Sequence, residues 1–129
     1  EVVTDPTLVE PGCYVEDINR VGPTFLKMGA LSFLNQHLKT PFEGMLSPAA
    51  GRAKLASYLY QREPEPGSLA VHVTHDTILA VLVAELEGRD AIDEEHWPWM
   101  MEGLWVWFED ARMHWVWRGH HGHRELALA

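Results

Sequence analysis

Leu69-Ala70-Val71-His72-Val73-Thr74-His75-Asp76-Thr77-Ile78-Leu79-Ala80-Val81-Leu82 decides how this chain is read. Its first half is a short apolar, β-branched run following the Pro66-Gly67 breaker, a pattern that predicts a buried strand. It passes without a loop into a long apolar segment that predicts a helix. A strand therefore feeds a helix, and an imidazole and a carboxylate, His75 and Asp76, stand side by side at the junction. In an open α/β sheet, ligands bind at such a place, where the carboxyl end of a strand meets the N-terminus of the next helix.

The first turn of a helix presents unpaired N–H groups and the positive end of the macrodipole, so the junction favours an anion. An imidazole that donates to a phosphate, beside a carboxylic acid that protonates a leaving oxygen, is half of a phosphoryl-transfer site. Thr74 and Thr77 flank the pair and offer hydroxyl donors, with simple packing at a helix start as the equal alternative. The plainer account of Asp76 is a helix cap, and of His75 a polar residue at a strand end. His72 is out of step with His75 and is expected to face a covering helix.

Outward from the junction, Ile78, Leu79, Val81, Leu82, Val83 and Leu86 make the following helix apolar almost all round, which predicts burial against the sheet. Gly88 ends it. Upstream, Ser47-Pro48 announces a helix with a serine cap and proline at its first position, closed by the Glu63–Gly67 break. Ala30 to Lys39 carries Leu31, Leu34 and Leu38 at helical spacing and stops at Thr40-Pro41. His37 on this segment is expected at the surface or the core edge. Ile18 to Gly29 has helical tendency, but Gly22-Pro23 should break or restart it. Residues 1–17 are expected to form a short strand and then an acidic loop with Glu10, Glu16 and Asp17. One of these carboxylates is a candidate proton donor; solvated loop positions and a helix cap at Asp17 are the commoner explanation.

Downstream, Asp93-Glu94-Glu95 suggests the first turn of a short helix. From Gly103 the pattern changes to period two: Trp105 and Trp107, then Trp115 and Trp117 after Glu109-Asp110-Ala111-Arg112, predict a β-hairpin. Its tryptophans are expected in the core or an interface, with a stacking platform as the alternative. The tail, with His120, His121 and His123, is expected to be loose, so that any metal it binds is adventitious. No metal ligand set and no cofactor are assigned.

At 129 residues and 47% hydrophobic content the chain suits one domain with a modest core. A formal net charge of −9 argues against nucleic acid or an anionic membrane surface as partner. No apolar run has the length needed to span a bilayer. The single cysteine, Cys13, excludes an intramolecular disulfide and favours a reducing, cytoplasmic setting, with the thiol expected as a small buried residue and a reactive thiol as the alternative.

Val73-Thr74-His75-Asp76-Thr77-Ile78-Leu79, between a hydrophobic strand and an apolar helix, resembles the C-terminal His-Asp motif of the histidine phosphatase superfamily. Pro11-Gly12-Cys13-Tyr14-Val15-Glu16-Asp17 and the ending Glu102-Gly103-Leu104-Trp105-Val106-Trp107 with Trp115-Val116-Trp117-Arg118-Gly119 extend the resemblance over most of the chain. It implies a three-layer α/β/α fold of the phosphoglycerate mutase-like type. It also implies a covalent mechanism in which a histidine of an Arg-His-Gly motif attacks phosphorus. His75 then matches the phosphate-binding histidine and Asp76 the acid, with Glu16 or Asp17 as the carboxylate that does this work in the other branch. Arg-His-Gly is missing, and the one similar run, Arg118-Gly119-His120, has the wrong order and place.

The expectation is one domain over residues 1–129, incomplete at its N-terminal side, with a strand-like opening and a C-terminal β-hairpin. It would be the C-terminal part of a phosphomonoester hydrolase or mutase, inactive alone. Its partners would be a small phosphomonoester and a missing N-terminal segment or another copy of the chain. Two other classes compete: a non-catalytic binding module built on the tryptophan hairpin, and a metal-dependent His-Asp phosphohydrolase on an all-helical scaffold.

Overall fold

In the computed structural model, which describes residues 2–126, four helices pack beside a three-stranded antiparallel sheet, a mixed α/β architecture. The helices are α1 (Ile18–Met28), α2 (Ala30–Lys39), α3 (Pro48–Gln61) and α4 (Asp76–Leu86). The strands β1 (Trp105–Glu109), β2 (Arg112–Trp117) and β3 (His120–Glu125) follow in the order β1-β2-β3. Among the described residues no helix is long and apolar enough to cross a membrane.

Helix ends follow their local chemistry. Ser47 Oγ accepts from Ala50 N at 3.1 Å with Pro48 just inside α3, and Asp93 caps the short 3₁₀ turn Glu94–His96. Gly29, at φ 81°, ends α1 by donating to Phe25 O, and α2 begins directly after it. The break expected at Gly22-Pro23 does not occur: α1 runs through it. Gly22 has no Cβ to clash with the proline ring, and Pro23 faces solvent, where the freed Asn19 carbonyl can be hydrated.

α4 is the centre of the core. Ile78, Ala80, Val81, Leu82, Val83, Ala84 and Leu86 are all buried, and the helix packs on α3 and α2. The same cluster takes in Phe33 and Leu34 of α2, Leu55 and Ala56 of α3, and Met113 and Trp115 of β2. On β2 the residues alternate strictly, with Met113, Trp115 and Trp117 inward and Arg112, His114 and Val116 outward.

Three expectations fail here. Leu69 to Thr74 is not a buried strand. It is irregular: its backbone pairs with no other backbone among the described residues, and Leu69, Val71 and Val73 are 69%, 76% and 77% exposed. A strand exists only through a neighbour, and the described sheet lies elsewhere in the chain. The strand-like opening is also absent: Val2 and Val3 are exposed and irregular. Third, the histidine tail is no loose tract, because residues 120–125 form β3. Both sheet turns have two residues at positive φ, Asp110-Ala111 and Arg118-Gly119, the primed geometry that matches strand twist. Gly122 lets Trp115 lie against β3, since a Cβ there would stand 2.4 Å from the indole.

Candidate functional site

The irregular segment 69–74 leads to His75, which has β-region dihedrals and opens α4 as its N-cap without spending its side chain on the helix. The imidazole is exposed at the positive end of the most buried helix of the fold. Asp76 Oδ1 accepts from Thr77 N at 2.8 Å, and Oδ2 accepts from the Trp97 indole N–H at 3.0 Å. Each oxygen keeps a lone pair for another donor. Thr77 Oγ1 donates to Glu10 at 2.9 Å, and Thr74 Oγ1 donates to Leu8 O at 2.6 Å, which fastens the acidic N-terminal loop over the junction.

Thr74, His75, Asp76 and Thr77 are therefore gathered as their adjacency requires, and Glu10 is the loop carboxylate bonded to them. Glu16 and Asp17 make no hydrogen bond to this group. Asp17 caps α1, accepting from Arg20 N, and Glu16 N donates to Gly44 O. His72 turns toward α3, where its ring meets Tyr58 edge-on at 5.8 Å.

Trp97 is a partner of Asp76 that no local pattern announces. Its backbone is held in turn by Arg118, whose guanidinium donates to Trp97 O at 3.1 Å and clasps Glu102 with two bonds of 2.7 and 2.8 Å. The Arg118 bonds hold the Glu102 carboxyl below its ordinary range. A chain of contacts thus runs from the β2–β3 turn through Trp97 to the carboxylate beside His75.

Among the described residues no Arg or Lys side chain hydrogen-bonds to the His75 group. Two open cavities, of about 760 and 610 Å³, lie elsewhere, one beside Asn35 and Arg89 and the other beside Trp99 and Arg118. No group of three or more His, Cys, Asp or Glu residues able to hold a metal is found among the described residues. Cys13 is buried, and desolvation pushes its thiol up, which fits an inert core position.

His37 is not at the core edge but fully buried, at 0% exposure. Its Nδ1 accepts from Phe42 N at 3.1 Å, so the proton of the neutral ring is on Nε2, which donates to Leu46 O at 2.9 Å. The turn-rich Phe42–Leu46 connection is thereby fixed over α2, with Phe42 stacked on Phe33. Burial lowers the His37 pKa from 6.5. The folded chain then binds fewer protons than the unfolded one. Its contribution is complete above about pH 6.5 and is lost as pH falls toward and through the lower folded value. Urea midpoints of the wild type should fall between pH 7 and pH 5 more steeply than those of His37→Gln; parallel slopes would contradict this.

No family model, curated protein or solved structure matches this chain.

Proposed function

We propose that this chain carries the phosphate-gripping part of a phosphomonoester hydrolase or mutase of the histidine phosphatase type. The observation that carries the proposal is the exposed His75 at the N-terminus of α4 with Asp76 fixed beside it. The helix end and the imidazole attract the phosphoryl oxygens, and Asp76, or Glu10 through Thr77, is within the same group for proton transfer. The nucleophile and the arginines come from an Arg-His-Gly segment that this chain lacks. The exposed backbone of residues 69–74, which pairs with no other backbone among the described residues, is where such a segment, or a second copy, would pair and build the three-layer arrangement that the resemblance implies.

Joined to a segment bearing Arg-His-Gly, the chain should release phosphate from a generic phosphomonoester in the presence of EDTA, and the chain alone should not. Equal turnover by the isolated chain, or a folded but inactive joined form, would contradict the proposal. One observation favours the binding-module alternative: Trp105 and Trp107 of β1 are 60% and 37% exposed, while Trp115 and Trp117 are buried. That splits the hairpin tryptophans between surface and core. Among the described residues no group of three or more His, Cys, Asp or Glu gathers at His75, so the metal-dependent alternative gains no support there.

A further inference from the structure

The outward face of the sheet holds an unusual group of imidazoles. His114 of β2 is paired in register with His123 of β3, and His121, opposite Val116, is its diagonal neighbour on the same face. His114 Nδ1 and His121 Nε2 are 3.2 Å apart, with ring planes only 5° from parallel and centroids 5.4 Å apart. Such rings are nearly coplanar and meet edge to edge, so a lone pair of one faces a nitrogen of the other. Two nitrogens on a tetrahedral ion, at about 2.0–2.1 Å each, are separated by roughly 3.3 Å.

We propose that His114 and His121 form a two-imidazole chelate for a divalent ion of the nickel, copper and zinc class. The ion takes the place of the proton that the two rings share. That proton moves to the far nitrogen of its own ring, leaving a lone pair on each facing nitrogen, so no net proton is released from neutral imidazoles. A small swing of the rings opens the angle between the lone pairs. His121 is exposed and His114 half-buried, both on the open face of the sheet, so packing does not prevent the swing. Water fills the remaining positions.

His123 is not a third ligand. Its Nδ1 is 3.2 Å from Arg112 Nη1 and accepts from that guanidinium, and its ring, 5.4 Å from His114 and 5.9 Å from His121 between centroids, is tilted 34° and 39° out of their common plane. Trp107 lies almost parallel to both chelating rings, at 5.3 and 5.5 Å between centroids, and forms one wall of the site. The turn that sets this register, Arg118-Gly119, has fixed two-residue geometry, so the spacing belongs to the fold and not to a mobile tail.

Calorimetric titration of the full chain with nickel chloride at pH 7.5 tests this. One ion per chain is expected to bind with micromolar dissociation constant. Affinity should fall at least tenfold in His114→Gln and in His121→Gln, and less than threefold in His120→Gln and His123→Gln. All four positions are on the outward face or the free edge of the sheet, and unchanged circular dichroism of each variant would show that the sheet persists. Absence of binding in the wild type, or binding that survives both His114→Gln and His121→Gln, would overturn the proposal.

Discussion

Gly51→Ala is expected to cost the fold about 2 kcal/mol, the balance of two opposed effects. Alanine in the interior of a helix is favoured over glycine by about 1 kcal/mol, because the unfolded chain loses less freedom. At this position, however, the new Cβ would stand 2.0 Å from Cε1 of Tyr14 and 2.4 Å from its Cδ1. Tyr14 is only 3% exposed, so its ring has no open space to enter, and either α3 or the N-terminal loop must move. Overpacking of this severity costs about 1–3 kcal/mol or more and outweighs the gain in propensity. Thermal or urea unfolding of the two proteins measures it, and a variant as stable as the wild type would show that the contact between α3 and the loop is slack.

The largest effect on activity is expected from His75→Ala in the form joined to an Arg-His-Gly segment. A donor aimed at a phosphoryl oxygen acts where charge develops, and removing one such donor costs about 10²–10³ in rate. The substitution should leave the fold almost untouched. The imidazole is exposed, makes no capping bond to α4, and helix formation rests on the buried side chains from Ile78 onward. Stability should therefore change by less than about 0.5 kcal/mol. Loss of function without loss of fold is what separates a phosphate ligand from a polar residue at a helix start.

Much of the helical layer was legible because its signals are local. Ser47-Pro48 opens α3, Thr40-Pro41 closes α2, and the all-apolar run after Asp76 is the buried centre. Gly22-Pro23 misled because the usual penalty before proline falls on a Cβ that glycine lacks. β3 was hidden by its composition, His-His-Gly-His-Arg-Glu, which has no β-branched residue. The Arg118-Gly119 turn was the signal available for it. His37 looked like an edge residue because a single histidine on a helix does not reveal that Phe42 N and Leu46 O will meet both its nitrogens.

At the site, adjacency alone brought Thr74 to Thr77 together. The contacts that fix Asp76 and Thr77 come from Trp97 and Glu10, 21 and 67 positions away, and nothing in the intervening pattern encodes them. The 69–74 segment, apolar and β-branched in sequence, was read as a buried strand, and it is neither a strand nor buried. Alternation and branching report what a segment is fit for, whereas burial depends on a neighbour.

The direct test of His75 as the phosphate ligand is the ratio of kcat/KM for a generic phosphomonoester between the joined form and its His75→Ala variant. The assay contains EDTA, and unfolding midpoints are taken on the same samples. A ratio of about 100 or more with matching midpoints is the predicted result. A ratio near one with matching midpoints would contradict the account and remove His75 from the chemistry.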